Sequence, residues 1–223
     1  MNKSYYVSVT AVVLVSGYLV FALTTSLGPG GRTDQMSMPG MNAVDTKTSD
    51  ATKEFQSTMN AMMEGMMKPV TGYPDVDFAN GMIPHHEGAI AMAKTEKKFG
   101  KDLFLLEMAE NIIKAQEGEI ATLRAWLAKQ SSESITQSVP EASKASYEAM
   151  MAMMKSMAVS YTGNTDVDFA NGMIPHHQGA IEMAKIVLQF GKDADMRNLA
   201  NSVMTDPQAE ISALQGWLAK AKT

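Results

Sequence analysis

Apolar residues are laid out in two ways along this chain. From Tyr5 to Leu27 they form an unbroken run relieved only by Ser, Thr and Gly. Beyond about residue 50 they recur with helical spacing instead. Met59, Met62, Met63 and Met66 fall at i, i+3, i+4 and i+7, one face of a helix expected over 52–68. A second helix is predicted from Asp75 to Phe99, with Gly100 suited to the position after its end. Pro84 lies inside it and lacks the N–H owed to the i−4 carbonyl, so a kink or interruption is expected there. A third helix is predicted from Asp102, a suitable N-cap, to Lys129. Asn80-Gly81 and Asn171-Gly172 sit within helical periodicity and do not read as hairpin turns.

The same pattern then returns. Asp75–Lys94 reads DVDFANGMIPHHEGAIAMAK and Asp166–Lys185 reads DVDFANGMIPHHQGAIEMAK. Met59 aligns with Met150, Gly100 with Gly191 and Trp126 with Trp217 at the same offset. The expected organisation is a signal peptide or retained signal anchor over 1–27, preceded by Lys3, and a Met-containing tether over 28–51. A first helical repeat over 52–129, a linker over 130–142 and a second repeat over 143–223 follow. The fold class is all-α: two tandem Met-rich bundle units of three to four helices each.

Composition sharpens the chemistry. The 223 residues include 21 Met but no Cys, so thiolate sites and disulfides are excluded. Net charge is −5 without a basic run, which argues against nucleic-acid binding. All 4 histidines lie in the repeated motif, as His85–His86 and His176–His177. Each pair follows a methionine cluster: Met59, Met62, Met63 and Met66 in the first repeat, Met150, Met153, Met154 and Met157 in the second. Imidazole beside thioether is a donor set for a soft cation, copper(I) above all, with silver(I) as its mimic. On a helix His85 and Met92 share a stripe, with Met82 near it, and the matching residues are His176, Met183 and Met173. His86 and His177 point about 100° away from their neighbours. Gly81 and Gly88 border the His85 side and allow close approach, the Met helix being the expected neighbour. Each repeat thus carries its own His–Met set. Asp75 and Asp77 fit a structural role at a helix N-terminus.

These motifs resemble those of the "domain of unknown function 305" family of ferritin-like helical bundles: a Met cluster, MIPHH-x-GAI-x-MA, and a third helix closing near Trp-Leu. The tandem, Met-rich form is similar to CopM-type exported copper-binding proteins. The resemblance implies copper(I) and silver(I) binding outside the cytoplasm through Met82, His85, His86, Met92, Met173, His176, His177 and Met183, and a role in copper resistance. It implies a binding protein, not an enzyme, with metal ions as partners. A copper-transfer partner and a membrane tether through residues 5–27 would fit that role. A ferritin-like di-iron oxidoreductase is the competing reading, but Met82 and Met173 stand where its Glu-x-x-His motif needs glutamate. A helical interaction module without metal is the third.

Overall fold

The computed structural model describes residues 49–130 and 138–221. The expected signal or anchor, nearly all of the tether and the middle of the linker lie outside the described residues. Within them the chain forms six helices and no strand. Helices α1 (Asp50–Met66), α2 (Pro74–Phe99) and α3 (Leu103–Leu127) build the first repeat. Helices α4 (Pro140–Ser156), α5 (Thr165–Phe190) and α6 (Ala194–Ala221) build the second. No described helix is long and apolar enough to cross a membrane.

Local chemistry accounts for the boundaries. The Asp102 side chain accepts from the N–H groups of Phe104 and Leu105, as its N-cap role requires. Ser49 caps α1 through the Thr52 N–H. Pro140 opens α4, inside the stretch expected to be linker, because its fixed φ suits the first helical turn and its missing N–H is not needed there. Before α2, the Asp77 carboxylate accepts the N–H groups of Thr71 and Gly72, and Asp168 repeats this with Thr162 and Gly163. Gly72 and Gly163 have φ of 84° and 82°, a conformation that favours glycine.

The interruption expected at Pro84 does not occur, since α2 runs through it. Space for the ring comes from α1, where a Cβ on Gly65 would lie 2.8 Å from Pro84 Cβ.

Helices α2 and α5 pack on each other at the centre, α2 flanked by α1 and α3, and α5 by α4 and α6. The two repeats therefore share one bundle. One apolar cluster joins Phe55, Met92, Leu105 and Ile112 of the first repeat to Phe169, Met173 and Leu214 of the second. Another joins Phe78, Met82, Leu123 and Trp126 to Ala180, Val187, Met196 and Val203. Two carboxylates lace the repeats together. Asp75 accepts the Lys192 and Asp193 N–H groups, and Asp166 accepts those of Lys101 and Asp102. Each acid at the start of a central helix thus secures the start of the other repeat's third helix. Hydrogen bonds to a charged acceptor contribute about 1.5–3 kcal/mol each.

Burial gives one further acid an unusual state. Glu96 is fully buried, and its carboxyl lies beside that of Asp166, to which a protonated Glu96 can donate. Burial first, then the neighbouring Asp166 and Asp102 carboxylates, push its pKa up to about 8. Asp166 behaves oppositely. Burial works against its charge, but the Asp102 and Lys101 N–H groups hold its carboxyl below the usual range.

Candidate metal centre

The four histidines are all buried, yet they face two different ways. His85 and His176 meet at the crossing of α2 and α5, their ring centroids 3.7 Å apart and the rings tilted by 42°. His176 Nε2 donates to the His85 carbonyl oxygen at 2.8 Å, which leaves Nδ1 as its lone-pair nitrogen. Both nitrogens of His85 and Nδ1 of His176 have no hydrogen-bond partner among the described residues. An unpaired buried polar atom costs about 1–3 kcal/mol, so three side by side form a site that a ligand would relieve.

The electrostatics keep these rings neutral. Burial is the largest cause lowering the His85 pKa well below its ordinary value, followed by His176, His86 and His177. His176 is lowered in the same direction by burial first and then His177. A neutral imidazole offers its lone pair to a metal without first shedding a proton.

His86 and His177 turn to the third helices, about 100° from their neighbours as helical geometry requires. His86 Nε2 lies 2.7 Å from Glu119 Oε2, and His177 Nε2 lies 2.5 Å from Glu210 Oε2. These pairs bring α2 to α3 and α5 to α6, but neither is an aligned hydrogen bond, and both nitrogens of His86 and of His177 also lack a hydrogen-bond partner among the described residues. Glu119 and Glu210 are functional candidates that the sequence reading passed over. Their signal was present, since both repeats carry glutamate at this place.

Thioethers approach the central imidazoles from α1 and α4. Met62 packs over Gly88 and Met153 over Gly179, each Sδ 2.7 Å from where a glycine Cβ would stand. The same point on Gly179 is 3.3 Å from His85 Nε2, so Met153 sulfur and His85 nitrogen are neighbours across one glycine. A side chain at either glycine would displace the sulfur, which explains the Met-helix approach expected at Gly88. Met62, Met153 and Met157 form one buried cluster, with Met59, Met63 and Met66 packed against it. The Met clusters of the two repeats therefore merge.

Other expected ligands lie elsewhere. Met82 is fully buried among Phe78, Leu123 and Trp126, and Met92 among Phe55, Leu105 and Phe169. Met173 belongs with Met92, whereas Met183 packs at the Met82 end. The stripe of Met82, His85 and Met92 is real, but its ends are about 15 Å apart and meet different neighbours. Met183 reaches across to Gly81 and Met92 to Gly172, each crossing to the other repeat. Met150 and Met154 on α4 are half-buried. Among the described residues no three His, Asp or Glu side chains converge to hold a metal. The donors gathered here are imidazole and thioether.

A helical bundle with repeated His pairs under merged Met clusters matches a known class. Residues 75–218 match the family model described as "Domain of unknown function (DUF305)", and the chain belongs to this family. Similar solved structures are those of CopM. The Cu(I)-bound form is 26% identical with a TM-score of 0.51, covering 67% of this chain and 98% of that one. The Cu(II)-bound form is 29% identical with a TM-score of 0.51, covering 66% and 96%. A silver-bound form obtained by soaking is 28% identical with a TM-score of 0.50 over the same shares. An uncharacterized protein of Acanthamoeba polyphaga mimivirus is 37% identical over 57 residues, 26% of this chain and 38% of that protein's length.

Proposed function

We propose that this protein is an exported copper(I)-binding protein, a buffer or carrier rather than an enzyme, that also accepts silver(I). The observation that carries this reading is the pair of buried imidazoles, His85 and His176, with unpartnered nitrogens beside Met153 and the merged Met cluster. Neutral imidazole and thioether suit a d¹⁰ monovalent ion, and the similar CopM structures hold copper and silver. His85 and His176 supply nitrogen, and Met62 and Met153, with Met59, Met63, Met66, Met154 and Met157 around them, supply sulfur. His86 and His177, next to Glu119 and Glu210, act as supporting residues behind the central pair. The site lies between the repeats and is not complete in either one.

Anaerobic titration against a copper(I)-specific chelator is the test. Copper(I) and silver(I) are expected to bind more tightly than zinc or copper(II), and tighter zinc would overturn the reading. His85→Gln with His176→Gln should weaken copper(I) binding by at least about tenfold, as even supporting residues of metal sites often cost that much. Met62→Leu with Met153→Leu removes the sulfurs at nearly constant volume, for less than about 1.5 kcal/mol of stability, and should weaken binding as well. Met82→Leu with Met92→Leu should leave it unchanged, because those side chains fill apolar clusters.

Export rests on Lys3 and the apolar run that follows it. A reporter fused after Thr223 is expected to be active only outside the cytoplasm, and deleting residues 1–31 should leave it inside. Activity of the intact fusion in the cytoplasm would refute export.

A further inference from the structure

The two seams where a Met helix packs against the opposite repeat are not equivalent. At one seam Phe55 of α1 stacks on Tyr161, with centroids 6.1 Å apart and planes 9° from parallel. Phe55 is buried, and Met92 and Phe169 close around it in the same apolar cluster. This seam is plugged. At the repeat offset, Phe55 becomes Ser146 and Tyr161 becomes Val70. Two rings give way to a hydroxymethyl and an isopropyl group.

The space those rings would fill stays open. A cavity of about 70 Å³ lies there, bordered by Val70 and Ser146 and lined by Met66, Met150, Met153 and Met183. That volume exceeds what a single small occupant needs. Met183 is half-buried here, whereas its counterpart Met92 in the plugged seam is only 2% exposed. The Met183 methyl lies 2.9 Å from where a Gly81 Cβ would be, so glycine makes room for this side chain. Asp77 also borders the cavity, but its two oxygens already accept from Thr71 and Gly72. The donors left for a ligand are the Ser146 hydroxyl, a hard oxygen ill-suited to a soft cation, and thioethers from α1, α4 and α5.

We propose that this cavity is a second, thioether-only site for a monovalent soft cation, copper(I) or silver(I), distinct from the His85–His176 centre. Thioether is neutral and polarizable, and several of them around a d¹⁰ ion bind it without displacing a proton. Half-buried Met66 and Met150 line a cavity bordered by exposed Val70, whereas Met153 is buried against Gly179 beside His85. Met66 and Met153 therefore belong to both sites, and the cavity is an outer station for the central pair. This inference rests on the copper(I) reading above.

Silver(I) added to the full chain, with methionine methyl groups labelled for NMR, separates the two. In His85→Gln with His176→Gln, one silver equivalent is expected to remain and to shift the methyl signals of Met66, Met150, Met153 and Met183. Adding Met150→Leu with Met183→Leu to that variant should remove it. Val70→Tyr with Ser146→Phe, which copies the plugged seam, should remove it too; if that pair unfolds the protein, the Leu pair decides. If the Leu pair leaves silver stoichiometry and the Met66 and Met153 shifts unchanged, the cavity site is wrong; the His centre is judged separately, by the silver equivalent lost between the unmodified chain and the His85→Gln, His176→Gln variant. If the unmodified chain binds no silver at all, both fall.

Discussion

Neither half of this chain is expected to fold or bind copper(I) alone. A fragment of residues 49–130 keeps α1, α2 and α3 but loses every partner of the central face of α2. Met92 would lose Phe169 and Met173, and Met82 would lose Ala180, Val187 and Met196. Asp166, which holds the Lys101 and Asp102 N–H groups, would be missing. Fragments of this size bury little surface even when complete, so exposing the face of a central helix removes most of their margin. The His85–His176 contact would vanish outright, and with it the metal centre. Circular dichroism of 49–130 and 138–221 should show mostly unfolded chains, with helicity and copper(I) binding returning on mixing. A half that folds as a monomer and binds copper(I) as tightly as the whole would show that the interface is dispensable.

The second large effect concerns Glu96. Its folded pKa of about 8 lies above the ordinary carboxyl value of 4.5, so the folded state holds a proton that the unfolded chain releases between those values. Stability is then greatest below about pH 4.5 on this account and falls as pH rises toward 8. Glu96→Gln keeps the shape and removes the charge. It should flatten that decline and raise stability at pH 8–9, on the order of 3 kcal/mol. At pH 4 the two proteins should melt alike. Denaturant midpoints across pH 4–9 give the comparison, and parallel curves for the two proteins would refute a buried, protonated Glu96.

The helices were legible in the sequence because their signals are local. Asp102 caps α3 as expected, and the Met59–Met66 spacing marks the buried side of α1. Helical geometry also separated His85 from His86. It could not tell that both are buried, because the partner of His86 is Glu119, on the next helix. The division of the Met82–Met92 stripe between two clusters depends on which helix crosses at each level, and no spacing within α2 contains that. Asp75 and Asp77 read as structural residues at a helix start. Asp77 holds Thr71 and Gly72 of its own repeat, but Asp75, like its counterpart Asp166, serves the opposite repeat, a long-range pairing that propensity does not encode. Glu96 was unremarkable in the sequence, since only burial gives it its proton.

The reciprocal acids carry a consequence for how such a chain can change. Asp75 serving Lys192 and Asp166 serving Lys101 is the arrangement of a two-fold dimer written on one polypeptide. A single repeat pairing with its own copy would make these contacts twice. In that homodimer any substitution would appear on both sides of the axis. A carboxyl at the Glu96 place would face its twin environment, and a ring at the Phe55 place would plug both seams. Joining the copies covalently lifts that restriction. One side can then carry Glu96 and Phe55 while the other carries Val187 and Ser146, so fusion is what allows a symmetric scaffold to hold two unlike compartments.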